Sequence, residues 1–366
     1  MAVCLSPGGS AVADERQLPR QLFVGTVDGI VSLERDATDA GWQVTGRGLP
    51  GCHVSAVLHE PRQGGWFAAT YANGLYRGTD GGRTWEPLAR GLSCADFWSL
   101  AAVERDGGVV LYAGAQPAHL FQSTDYGDSW EELPSLRAVP GTERWSFPPP
   151  PHLAHVKHIT ADPRDNHTLF VSVEQGALLK STDAGRTWRE IEGYTSPQDA
   201  YYKDVHRLAI SAQDPRRMYM SNGDGLYSTA DGGETWVQLP TAGIGYPDGL
   251  LIAPHDDREL YISGGQGGPP DWRRTHTANS IVARSRDAGQ TWTVLDRGLP
   301  VPLRANVEAL SMAIWDGGFS LFAGTTDGDV FASDDGGEHW STIAQGLPPV
   351  SGGRHYRDLE LPAAAI

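Results

Sequence analysis

Cysteine is nearly absent from this chain. Cys4, Cys52 and Cys94 are an odd and sparse set in 366 residues. That excludes a disulfide framework and fits a reduced, cytoplasmic protein. Positive charge is also scarce, with 29 Lys and Arg against 45 Asp and Glu and a net charge of −16. Nucleic acid and anionic membrane both demand basic patches, so neither is expected as a partner. No apolar run approaches the length of a membrane span, and the opening "MAVCLSPGGS" has no basic segment ahead of an apolar stretch.

What the chain has in quantity is glycine, aspartate and tryptophan in a fixed pattern. "KSTDAGRTW" ends at Trp188, and its relatives "GTDGGRTW", "STDYGDSW", "TADGGETW", "SRDAGQTW" and "SDDGGEHW" end at Trp85, Trp130, Trp236, Trp292 and Trp340. A damaged copy, "TDAGW", ends at Trp42. The seven tryptophans are spaced by 43, 45, 58, 48, 56 and 48 residues, a period that belongs to propellers and solenoids. Two short β-type runs precede each copy, a third follows, and a fourth opens the unit; "VKHITA", "LFVSV", "ALLKS" and "WREIEG" are one set. Four short strands per unit with Gly/Asp turns make a blade. The expected fold is all-β: one domain over 1–366, a seven-bladed β-propeller. The motif itself reads as scaffold. The Asp183 carboxylate and Ser181 hydroxyl can accept backbone N–H groups of a tight turn, Gly185 can take positive φ, and Trp188 can bury its ring between blades.

These repeats resemble the Asp-box, or BNR repeat, of sialidases, sortilin-like receptors, xyloglucanase-type hydrolases and photosystem II assembly factors. With "RWSFPPPPHLAHV", "DVH" and the "GLP" segments, the chain is also similar to a broad group of bacterial sialidase-like BNR proteins. The resemblance implies the propeller and its turns; those families share the motif and not one activity. It departs from sialidases, which carry three arginines and an Arg-Ile-Pro motif where this chain reads "PRQLF".

Blade topology assigns loops to faces. The turns ending in Trp lie on the lower rim. The two longest insertions, 134–155 and 264–280, fall in links on the upper face and suggest a partly covered pocket there. The Gly-rich run 264–268 lacks phosphate-loop spacing, and no helix pattern follows it. Blade 1 begins with a second strand at 22–26, so its inner strand must come from a terminus. The alternating "HYRDLEL" (355–361) is the expected closing strand, with "AVCLS" (2–6) as competitor.

Aligning the inner strands on their first apolar core residue, and taking alternate positions to share a face, puts a polar ring at the upper end of the channel. Four residues earlier stand His53, Asp96, His155, Asp204, Tyr246, Asn306 and His355; two residues earlier stand Ser55, Trp98, Lys157, His206, Asp248, Glu308 and Arg357. Imidazoles from four strands suit Fe, Zn or Cu, so His53, His155, His206 and His355 are candidate ligands of a divalent transition metal, much as four inner-strand histidines hold iron in carotenoid-oxygenase propellers. Asp204, Asp248, Glu308, Lys157 and Arg357 are the candidate catalytic groups. Trp98, Tyr246, Trp145, Tyr201 and Asp96 are candidate substrate contacts. The expected function is an enzyme on a small molecule, with metal-assisted oxygenase, hydrolase or lyase chemistry. Metal-free acid–base glycoside hydrolysis or lysis and a non-enzymatic scaffold or assembly role are the alternatives.

Overall fold

The structure, a computed structural model, describes residues 2–36, 41–195 and 203–360. Seven sheets form the blades of an all-β propeller. Blades 2 to 6 are plain antiparallel meanders from inner to outer strand. Blade 4 is typical, with His155–Ala161, Leu169–Glu174, Ala177–Ser181 and Arg189–Ile191 in that order. Every residue of its second strand is buried, because each blade is covered on both faces by its neighbours. That is why these strands read as apolar runs rather than alternating ones.

The repeated turn is built as its chemistry suggests. Ser181 Oγ accepts the Gly185 N–H at 2.8 Å and donates to Asp183 Oδ1 at 2.8 Å. Asp183 accepts the Thr187 N–H and hydroxyl at 2.8 and 2.6 Å. Gly185 has φ +88°, and the Trp188 indole N–H donates to its carbonyl. The hydroxyl and carboxylate bonds recur around Asp231 and Asp287.

Two expectations fail. The ring is not closed by the 355–361 segment: His355–Leu359 is a 3-10 turn, and residues 361–366 lie outside the described residues. The competitor takes the place. Val3–Leu5 pairs parallel with Gln21–Thr26 as the inner strand of blade 1, and its buried Val3 and Leu5 explain the choice, since 355–359 buries only His355 and Leu359. The chain then turns at Pro7–Gly9 and returns as Val12–Asp14, parallel to the inner strand of blade 7. The second failure concerns the Gly-rich run, which is followed by a short helix, Pro269–Thr275, with proline in its first turn.

Plain two-residue alternation also breaks down. The inner strand of each of blades 2 to 7 carries a register shift at the equivalent place, skipping Ser55, Trp98, Lys157, His206, Asp248 and Glu308. A bulge leaves its extra residue unpaired and re-aims its side chain. Repeated around the ring, it sets six such residues at the upper channel. The Pro7–Gly9 turn bonds to backbone groups beside these bulges. Gly8 N–H donates to Ser55 O, Leu100 N–H donates to Gly8 O, and Arg207 Nη2 donates to Pro7 O. The turn thus spans from blades 2 and 3 to blade 5 as a floor across the channel. Below it a cavity of about 550 Å³ opens between Ala2–Cys4, Gly9–Glu15 and the lower halves of the inner strands.

Candidate active site at the upper channel

Above that floor the bulged residues and their neighbours form one buried polar cluster. Glu174 sits at the end of the second strand of blade 4, directly across from His155. Its carboxylate lies 2.7 Å from His155 Nε2 and 2.9 Å from Lys157 Nζ. Lys157 is also 3.8 Å from Asp248. His206 Nδ1 is 2.8 Å from Pro247 O, and its Nε2 is 3.3 Å from Asp204 Oδ2. Tyr246 donates to the same Asp204 oxygen at 3.0 Å, and Asn306 Nδ2 donates to Asp248 Oδ2 at 2.6 Å. Glu308 accepts from Ser351 Oγ at 2.7 Å and Gly352 N–H at 2.9 Å, with His355 Nδ1 3.9 Å away.

Burial sets the electrostatics. It opposes the charge on Lys157, but the carboxylates of Glu174, Asp248, Asp204 and Glu308 outweigh it and raise the lysine pKa. Burial pushes the Glu308 carboxyl up; His355 pulls the other way and Asp248 adds to the rise. His155 is lowered by burial despite Glu174. His206 is raised, because Asp204 and Asp248 overcome burial and Lys157.

The cluster is walled and roofed by aromatics. Trp98 stacks on His155 at 3.5 Å, and Phe147 meets both edge-on. Tyr246 packs against His206, Trp272 and His355. Thus both long upper insertions contribute: Phe147 from 134–155 and Trp272 from 264–280. The segment Ser351–Leu359 lies over the top, tied by Arg273 to Asp358 at 3.0 Å and by Arg304 to Leu359 O at 2.9 Å.

The candidates chosen from sequence separate clearly. Asp204, Asp248, Glu308, Lys157, His155, His206, Tyr246 and Trp98 come together. His355 also arrives, but from the roof and not from an inner strand. Arg357 is exposed on that roof, bonded to Tyr356, so its strand position is corrected. His53 stands apart, bonded through Nε2 to Ser351 O at 2.8 Å and set against Tyr71 and Tyr356; it does not join the other histidines. Trp145 packs instead on the core between blades 3 and 4 and against Gly176, where an apolar ring finds apolar neighbours. Asp96 opens the inner strand of blade 3, half-buried opposite Gln116. Tyr201 lies outside the described residues. Glu174 was missed. Its signal was a lone carboxylate ending a mostly apolar run, "LFVSVE".

No family model matches the chain. It is similar to a xyloglucanase of Paenibacillus sp., 26% identical over 349 residues that cover 82% of this chain and 32% of that protein. It is also similar to the photosystem II assembly lipoprotein Ycf48 of Synechococcus sp. strain CC9902, 25% identical over 74% of this chain and 70% of that one. The chain thus spans about a third of the xyloglucanase and over two thirds of the assembly factor. Among solved structures it is similar to an ancestral GH74 enzyme, at TM-score 0.62 and 16% identity over 80% of this chain and 38% of that one. It is also similar to YCF48 from Cyanidioschyzon merolae, at TM-score 0.52 and 13% identity over 80% and 84%. At such identities the solved structures establish the propeller fold, and the curated relatives include xyloglucanases, an assembly factor and, over a shorter stretch, a vacuolar sorting protein.

Proposed function

We propose that the upper channel is the reaction centre of a hydrolase or lyase that works by proton transfer on a small, polar, carbohydrate-class substrate. The observation that carries this is the burial of Asp248, Glu308, Lys157 and their partners in one cluster beside aromatic rings. A scaffold gains nothing from burying several carboxylates, which costs several kcal/mol per ion before pairing, on the order of magnitude typical of buried ions. Reaction centres collect such groups. Glu308, whose pKa burial raises, is the general acid. Asp248, held by Asn306 and facing Lys157, is the base. Trp98 and Tyr246 wall the cluster with apolar ring surface. The xyloglucanase relatives, of which this chain spans about a third, support the carbohydrate class.

The test is turnover of a panel of oligosaccharides and aryl glycosides. Glu308→Gln and Asp248→Asn should each lower kcat by at least about 100-fold, the usual scale of acid–base catalysis, with an unchanged circular dichroism spectrum. A raised Glu308 pKa also predicts a rate that falls as pH rises through it, and this alkaline limb should vanish in Glu308→Gln. Full activity in both folded variants would refute the assignment.

A further inference from the structure

The half of the cluster opposite Glu308 has a property that proton transfer does not explain. Its imidazoles and carboxylates lie close together, but several of their polar atoms lack a well-aligned hydrogen bond. His155 Nε2 and Glu174 Oε2 are 2.7 Å apart, and His206 Nε2 and Asp204 Oδ2 are 3.3 Å apart. Yet both His155 nitrogens, His206 Nε2 and Asp204 Oδ1 have no hydrogen-bond partner among the described residues. All these residues are 2% exposed or less. Buried polar atoms left in this state are rare and call for an explanation such as an ion.

The tautomer of His206 sharpens the point. Pro247 O can only accept, so Nδ1 carries the hydrogen of that 2.8 Å bond. Nε2 is then the nitrogen turned to Asp204, 3.3 Å away, which is the separation of neighbouring ligands around a small cation with bonds of about 2.0–2.2 Å. A backbone carbonyl fixing the far nitrogen is also how metal-binding imidazoles are oriented. One ligand atom each from Glu174, Asp204 and His206 lie within 4.8 Å of one another.

We infer that Glu174, Asp204 and His206 bind one divalent first-row transition cation, with His155, 2.7 Å from Glu174, orienting that carboxylate from behind. Two carboxylates and imidazole nitrogen suit Zn²⁺, Mn²⁺ or Fe²⁺ better than Ca²⁺ or Mg²⁺, which prefer all-oxygen shells. The site adjoins the proposed reaction centre, but the inference stands on its own geometry and holds whether or not a sugar is turned over there.

Binding is measured directly, so it separates from activity. The full chain is stripped with chelator, dialysed and titrated with ZnCl₂ and MnCl₂ in a calorimeter, with elemental analysis after gel filtration. The expected result is about one ion per chain, lost in Asp204→Asn and in His206→Gln and retained in Asp183→Asn, whose carboxylate lies on the opposite rim. Uptake far below one equivalent, or binding unchanged in both cluster variants, would overturn the site; the first result would mean that protons neutralise the cluster instead. Should the variants not fold, the visible spectrum of the Co²⁺-loaded wild type decides. Bands of a low-coordinate nitrogen and oxygen site support the proposal, and a spectrum of hydrated cobalt alone refutes it.

Discussion

At the scale of single residues, one carboxylate type has opposite tasks at the two ends of the propeller. On the lower rim Asp183 stands in water and accepts three hydrogen bonds, from the Thr187 hydroxyl, the Thr187 N–H and Ser181. Those bonds, the hydroxyl's first, hold its pKa down at about 2. A carboxyl depressed in the folded state stabilises fully above its unfolded value of about 4 and loses that contribution as pH falls towards 2. Asp183→Ala is therefore expected to lower stability at pH 7 by about 1–2 kcal/mol, the scale for losing a capping acceptor. The gap in urea midpoint between variant and wild type should narrow from pH 4 and close near pH 2, with turnover of the folded protein unaffected. A gap independent of pH would mean the charge contributes nothing. In the channel, by contrast, the same group is buried among competing charges, and its chemistry follows from neighbours on other strands. Sequence spacing reported the rim because all its partners lie within six residues. It missed Glu174 because that partner belongs to His155 only across the sheet.

At the scale of elements, the bulge organises the site. The alignment rule found Lys157, His206, Asp248 and Glu308, yet for an incomplete reason. It assumed alternation along a regular strand, whereas each inner strand inserts an extra residue at that position. A bulge follows from local backbone geometry and from what caps the freed backbone groups, and here the caps are Gly8 and Ser6 from far away in sequence. Gly8 is required for closeness rather than for unusual φ, since a Cβ there would lie 1.8 Å from Trp98 O. Gly8→Ala is accordingly expected to push the floor off blades 2 and 3 and to lower stability by about 1–3 kcal/mol, as overpacking does. Gly46→Ala, whose added Cβ would meet only Ser32 at 3.7 Å, is the control and should change the midpoint little. Equal midpoints for the two would show that the turn has room to relax.

At the scale of the whole molecule, seven tryptophans at a near-constant period were enough to count the blades, since each blade is local in sequence and makes the same turn. Closure was not legible in that way, because it pairs segments distant in sequence and both ends offered a short apolar strand. Alternation favoured 355–361; burial decided for Val3–Leu5. Completely burying a Val or Leu side chain contributes about 1.5–3 kcal/mol, so Val3 and Leu5 together are a large fraction of the 5–15 kcal/mol or so by which a domain is stable. Their loss would also uncover the edge of Gln21–Thr26 and remove the channel floor. Deleting residues 2–15 is therefore expected to lower the unfolding midpoint steeply and to promote aggregation through the open edge. Deleting 351–366 removes no sheet strand among the described residues. It takes away the Ser351 and Gly352 bonds to Glu308 and the packing of His355 on Trp272, so turnover should fall far more than the midpoint. Thermal melts of the two truncations, run beside the activity assay, check both halves. A larger loss of midpoint in the 351–366 deletion would reverse the roles and make the roof the structural closure of the ring.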